Sequence, residues 1–236
     1  MFLRILVLVA ALAQVPVAAY LGAGSFEGVT QALPVFIQPA GWAFAIWGLI
    51  YALSIVFAVY QVIPKYDNQT LRAVRIPALI AFIGSSVWLL FASSVTTLIW
   101  FSIPTLFIMG GVLAYVVTVP RLPAQWPQLL SQSILFPYAA WTGIAQWLNT
   151  QALLNEQGII TSESINLFSN LGFLLCIVVF SFYFFYRSGW SVWYGGVIVW
   201  ASIGIISTNV AGGSIIIAVF AGVLALAALA SIRRAI

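Results

Sequence analysis

Histidine is absent from the 236-residue chain, and cysteine occurs once, as Cys176. Without histidine, and with four acidic residues spread over the loops, the chain lacks the usual ligands of a protein-held metal site. His-ligated haem is excluded as well, although a porphyrin held by stacking alone is not. A Ser-His-Asp catalytic set cannot form either. The sequence therefore predicts no resident metal and favours a protein that is not an enzyme.

Charged residues are also scarce. They make up 5% of the chain and hydrophobic residues 64%, whereas soluble domains carry roughly 25% charged residues. This composition excludes a soluble fold and predicts an integral membrane protein. The net charge of +4 comes from scattered basic residues that form no patch for nucleic acid. No charged side chain lies in the central part of an apolar run, which weighs against charge-coupled transport.

Long apolar segments dominate what remains. Each is near the ~20 residues needed to cross a bilayer, and none alternates with period two, which favours helices over a barrel. The sequence thus predicts an all-α helical bundle of about eight transmembrane helices. The predicted spans are 3–22, 41–63, 76–94, 97–119, 133–154, 165–186, 190–208 and 214–232.

The positions of the charges test this count. With the N-terminus inside the cell, every Lys and Arg falls in a cytoplasmic segment, whereas Glu27, Glu156 and Glu163 fall outside. This partition predicts a multi-pass protein of the cytoplasmic (inner) membrane with both termini in the cytoplasm. One alternative stays open. Residues 1–22 also resemble a signal peptide, and its cleavage would leave seven spans.

Aromatic residues concentrate at the start of the second span. Pro39 and Gly41 precede it, and Phe44, Trp47 and Tyr51 follow at spacings that place three rings on one helix face. Such a stripe can line a flat apolar pocket. It can equally be ordinary packing between helices.

The fifth span carries a second pattern. Trp141, Ala145 and Asn149 repeat every four residues on one helix face. A large ring, a small side chain and an amide form a recess that suits an apolar ligand with one polar edge, with Ala145 as its floor. The alternative is a packing notch, where a small residue lets two helices approach and Asn bonds across them.

These two patterns resemble the TspO/MBR family, the tryptophan-rich sensory proteins that include the peripheral benzodiazepine receptor. The residues that match are Pro39, Gly41, Trp42, Phe44, Trp47 and Tyr51 in the second helix, and Pro137, Tyr138, Trp141, Ala145, Leu148 and Asn149 in the fifth. The resemblance implies a TspO-like five-helix transmembrane core over residues 1–155. Residues 156–236 would then be an additional three-helix transmembrane segment.

The resemblance also implies a function. Such a protein would be a membrane receptor or sensor that binds a flat hydrophobic ligand, foremost a tetrapyrrole (a porphyrin or haem precursor), for sensing, sequestration or transfer. The implied ligand-binding residues are Trp42, Phe44, Trp47, Tyr51, Ser85, Trp88, Tyr138, Trp141, Ala145 and Asn149. No cofactor is required beyond a bound porphyrin as ligand. Ser85 stands where the family carries Asn, so a ligand hydrogen bond is either lost or supplied by a shorter hydroxyl.

Two other roles stay open. The protein could be a carrier for a small neutral or lipid-like solute, or an accessory subunit that packs against partner helices. The segment 156–236 could form a structural cover, an oligomer interface or a partner-binding face, and the sequence offers no basis for a choice. The expected partners are the lipid bilayer and a hydrophobic small molecule, with homo-oligomer formation open and nucleic acid excluded.

Overall fold

A computed structural model describes residues 1–21, 33–94, 96–120 and 132–235. These residues form helices, 3-10 turns and loops, and they include no strand. The α-helices among them are α1 (Phe2–Leu21), α2 (Ile46–Val62), α3 (Gln69–Ala92), α4 (Ser102–Thr118), α5 (Phe136–Glu156), α6 (Glu163–Arg187), α7 (Val192–Val210) and α8 (Ile215–Ala235). Each predicted span overlaps one of them, so the all-α, eight-helix prediction is confirmed.

Seven helical segments of the described chain are long and apolar enough to cross a membrane. The protein is therefore an integral, multi-pass membrane protein. The remaining helix, α5, is more polar, because it carries Thr142, Gln146, Asn149, Thr150, Gln151 and Asn155. Four of these six side chains are buried, so α5 keeps most of its polar groups inside the protein rather than against lipid.

Helix α3 begins earlier than predicted. The predicted span starts at residue 76, whereas α3 starts at Gln69. Asn68 caps the helix, since its Oδ1 accepts a hydrogen bond of 2.9 Å from the Leu71 N–H. The first turns carry Arg72 and Arg75. Because these charged residues interrupt the apolar pattern, this part of the helix was not included in the predicted span.

The chain divides into two compact units. The first unit comprises Met1–Glu27 and Trp47–Thr142, and the second comprises Gly28–Ile46 and Gly143–Ile236. This division does not follow the predicted boundary at residue 155, which concerns the resemblance to five-helix proteins and stays a prediction. Residues 22–32, which include Glu27, lie outside the described residues, as do residues 121–131 and positions 95 and 236.

The second unit holds a segment of non-helical backbone, residues 33–40, with buried amide side chains. Backbone groups in an apolar region need internal partners. Asparagines of α5, α6 and α7 supply them here. The bonds run from Asn155 Nδ2 to Leu33 O (3.1 Å), from Asn166 Nδ2 to Pro34 O (2.9 Å), from Asn209 Nδ2 to Phe36 O (2.6 Å) and from Ile37 N to Asn170 Oδ1 (3.2 Å).

A glycine brings the same segment against α7. The Ala40 N–H donates to Gly204 O at 3.0 Å. A Cβ atom at Gly204 would lie 2.8 Å from Pro39 Cβ, which is too close for any side chain without movement. Glycine at this position therefore permits the close approach of the two backbones.

In the first unit, four side chains form an ionic cluster, which we define as Arg4, Asp67, Arg72 and Arg75. The three guanidinium groups lie 2.7, 2.8 and 2.6 Å from the Asp67 carboxylate. Arg75 Nε also donates to Gln61 Oε1 (3.0 Å). The hydrogen bonds from Arg72, which has the larger effect, and from Arg75 hold the pKa of the Asp67 carboxyl well below its usual range. Asp67 is therefore ionised at every ordinary pH.

Candidate functional site

Five aromatic rings of α2, α3 and α5 meet in the first unit, with Trp47 at the centre. The centroid of the Trp47 ring lies 5.5 Å from Tyr51, 5.7 Å from Trp88, 5.9 Å from Tyr138 and 6.4 Å from Trp141. We call these five residues the aromatic cluster. The sequence predicted all five as ligand-binding residues, and the structure brings them together.

The rings adopt the two arrangements that aromatic pairs prefer. Trp47 stacks on Tyr51 and Trp88, with interplanar angles of 27° and 25°. It meets Tyr138 and Trp141 edge-on, at 87° and 88°. Each such pair contributes about 0.5–1.5 kcal/mol beyond the area it buries. The rings thus pack against one another between α2, α3 and α5.

Exposure separates Trp47 from the other rings of the cluster. Trp88, Tyr138 and Trp141 are no more than 2% exposed, and Tyr51 is buried as well. Trp47, by contrast, is only half-buried. Trp47 is therefore the most exposed ring of this cluster.

Hydroxyl groups provide polar handles at the cluster. The Tyr51 hydroxyl and Ser85 Oγ are 3.3 Å apart and share a hydrogen bond. The Tyr138 hydroxyl donates to Gln14 Oε1 at 3.0 Å, with Ala81 O at 3.2 Å as a second acceptor. Ser85 thus places a short hydroxyl beside the ring of Tyr51. By the resemblance described above, this is the position of an Asn in the TspO/MBR family.

Gln14 was not predicted as a site residue. It lies in α1, is fully buried and reaches the hydroxyl of Tyr138. A signal for it was present, because an uncharged polar side chain in the middle of an apolar membrane helix usually has an internal partner.

Trp42 and Phe44 lie in a 3-10 turn, Gly41–Ala45, that belongs to the second unit. Trp42 packs edge-on against Trp200 of α7, with centroids 4.9 Å apart. Trp200 Nε1 donates to Ala43 O at 2.8 Å. Phe44 is half-buried. Trp200 was not predicted as a site residue, because nothing in the sequence spacing links α7 to this turn.

Ala145 and Asn149 lie on the part of α5 that belongs to the second unit. Ala145 is buried, and Asn149 Nδ2 donates to the Ala145 carbonyl at 2.8 Å. The Asn149 amide thus bonds within its own helix. That Ala145 and Asn149 line one recess with the aromatic cluster stays a prediction.

The aromatic cluster offers apolar area, ring faces and hydroxyl hydrogen bonds. In the part of the chain that the structure describes, no group of three or more His, Cys, Asp or Glu side chains could hold a metal ion. Rings and hydroxyls of this kind suit an apolar, flat molecule with few polar atoms, and the use of the aromatic cluster as a binding site stays a prediction.

Comparison with known proteins identifies one family. A family model described as TSPO-like protein matches residues 2–232. The match covers both the predicted five-helix core and most of the segment that follows it. Comparison with curated proteins and with solved structures gives no match.

Proposed function

The chain belongs to the TSPO-like protein family and is a membrane protein of the sensor or binding type. We propose that it binds a flat hydrophobic ligand. A tetrapyrrole, such as a porphyrin or haem precursor, is the foremost candidate. Binding would serve sensing, sequestration or transfer of the ligand.

The observation that carries the proposal is the half-buried Trp47 ring within the aromatic cluster. A macrocycle stacked on an indole face removes apolar area from water, worth about 25 cal/mol per Å² before the costs of association. The Tyr51–Ser85 hydroxyl pair, at 3.3 Å, lies on the same side of α2 as Trp47, one turn along the helix. These hydroxyls can satisfy one polar edge of the ligand.

Trp47→Leu tests the proposal. Protoporphyrin added to the detergent-purified protein should shift its absorbance band saturably. The Trp47→Leu variant should bind up to about tenfold more weakly, because a stacked ring pair contributes up to ~1.5 kcal/mol and tenfold corresponds to ~1.4 kcal/mol. Porphyrin absorbance is measured rather than protein fluorescence, because removing a tryptophan changes the fluorescence itself.

Trp193→Leu is the matched control for this experiment. Trp193 lies on α7 and is 46% exposed, so its loss changes the aromatic content equally and leaves the aromatic cluster intact. It should bind protoporphyrin as the wild type does. Unchanged affinity in Trp47→Leu, or an equal loss in both variants, would show that the ligand does not stack on Trp47.

Ala145→Leu tests the predicted recess on α5. We expect weaker binding of protoporphyrin, because overfilling a close-fitting site costs about 1–3 kcal/mol. The melting temperature should change little if the space beside Ala145 is open to a ligand. If Ala145→Leu unfolds the protein and Ala145→Gly binds normally, Ala145 is a packing notch instead.

We also propose that the protein lies in the cytoplasmic membrane with both termini inside, in accord with the partition of its basic residues. Single cysteines at the exposed positions Thr161 and Gln69, introduced after Cys176→Ser, test this orientation. A membrane-impermeant maleimide added to intact cells should label Thr161→Cys. It should label Gln69→Cys only after permeabilisation, and the reverse pattern would overturn the orientation.

A further inference from the structure

An outward stripe on α3 joins one exposed cation to a row of exposed apolar side chains. Arg72, Ile76, Ile80 and Ile83 follow one another at spacings of four, four and three, which place them on one helix face. Their exposed fractions are 69%, 56%, 38% and 50%. A lipid is the kind of molecule that has an anionic head and an apolar chain in this order.

The charge at the head of this stripe is unbalanced. Arg4, Arg72 and Arg75 share the single carboxylate of Asp67, and Lys65 is exposed in the same loop. Asp67 is the one acidic residue among the described residues of the first unit. Even with Asp67 ionised, the ionic cluster holds three positive charges against one negative charge and therefore keeps an excess of positive charge.

Arg72 is the member of the ionic cluster that can take a second partner. Arg4 and Arg75 are 14% and 7% exposed, whereas Arg72 is 69% exposed although it donates to Asp67 through Nε and Nη2. The first turns of α1 and α3 also contain members of this cluster, and helix N-termini favour anions. The site therefore attracts a phosphate.

The length of the stripe matches one leaflet of a bilayer. At ~1.5 Å per residue, the distance along α3 from Arg72 to Ile83 is roughly 16 Å, close to half of the ~30 Å hydrocarbon core. An acyl chain attached to a phosphate at Arg72 would therefore run beside Ile76, Ile80 and Ile83 as far as the middle of the bilayer.

We propose that Arg72, with Lys65, binds the phosphate of an anionic phospholipid whose acyl chain lies along Ile76, Ile80 and Ile83. The excess positive charge selects an anionic lipid over a zwitterionic one. Each cation near a lipid surface contributes about 1 kcal/mol, which corresponds to about a fivefold change in affinity.

Native mass spectrometry of the detergent-solubilised protein tests this site. The protein should retain phosphatidylglycerol in preference to phosphatidylcholine. Lys65→Gln and Arg72→Gln should each lower retention of phosphatidylglycerol about fivefold, and Arg72→Lys should restore most of it. Ile80→Gln leaves the ionic cluster unchanged and should also weaken retention, which guards against a loss caused by misfolding of the loop.

Arg187→Gln is the matched control. Arg187 ends α6 in the second unit, where its Nη1 donates to Tyr183 Oη at 3.0 Å, and its loss lowers the net charge by the same amount. It should retain phosphatidylglycerol as the wild type does. Equal loss in Arg187→Gln, no loss in Arg72→Gln, or equal retention of both lipids would overturn the proposal.

Two further outcomes would identify a different occupant and overturn the proposal as well. Displacement of phosphatidylglycerol by millimolar inorganic phosphate would assign the cations to a free anion. Cross-linking between Ile80→Cys copies into a dimer, in place of lipid retention, would assign the stripe to a second copy of the chain.

Discussion

Asn166→Ala is expected to lower the free energy of unfolding by about 3–5 kcal/mol. Several buried groups would each lose a hydrogen-bond partner, and each buried group left unsatisfied costs about 1–3 kcal/mol. Asn166 Oδ1 accepts hydrogen bonds from the side-chain amides of Gln151 (3.0 Å), Asn155 (3.1 Å) and Asn170 (3.1 Å). Its Nδ2 also donates a hydrogen bond to the carbonyl of Pro34 at 2.9 Å. Few other side chains of the described residues hold as many partners.

Asn149→Ala is the control for this substitution. Asn149 lies on α5, is half-buried, and donates to a carbonyl of its own helix. Its loss should cost about 1 kcal/mol or less, the typical value of one such bond. Equilibrium unfolding in mixed micelles of mild detergent and dodecyl sulfate measures both variants. Equal costs would mean that the amides around Asn166 do not act as a unit.

Trp141→Ala is expected to destabilise the protein by about 3–5 kcal/mol, the usual cost of deleting a large buried aromatic side chain. Trp141 is fully buried and meets the Trp47 ring edge-on at 6.4 Å. Unfolding monitored by loss of helical circular dichroism should show the change. Trp193→Ala removes a tryptophan that is 46% exposed and should cost far less.

The comparison of Trp141 with Trp47 separates packing from binding. Replacement of Trp141 should act first on stability, because this ring has no accessible face. Replacement of Trp47 should act first on porphyrin affinity, because this ring is half-buried. If Trp47→Ala proves as destabilising as Trp141→Ala, with no effect on ligand affinity, the aromatic cluster serves packing alone.

The sequence predicted the fold well, because membrane insertion depends on local properties of each segment. Whether a segment lies in lipid depends on the sum of its own side chains, which can be read without knowledge of any neighbour. The exceptions carry polar residues. The first turns of α3 were missed because Arg72 and Arg75 interrupt the apolar run, and α5 is less apolar than the other helices because it buries its amides.

The candidate site was predicted in part. Helical spacing places Trp47 and Tyr51 near one another on α2 and singles out Trp141 on α5. The resemblance added Trp88 and Tyr138. Neither could show that Trp47 stacks on Trp88 at 5.7 Å, that Gln14 reaches Tyr138 or that Trp42 packs on Trp200. These contacts depend on how separate helices pack, which no local pattern specifies.

The sequence by itself determined which segments enter the membrane and which helix faces carry rings, because apolar length and helical period are local properties. Only the tertiary structure decided the partners of the polar groups. Asn209 donates to the carbonyl of Phe36, 173 residues away, and Arg4 pairs with Asp67. A buried polar group must find a partner wherever the fold supplies one, so these pairings exist only once the helices have packed.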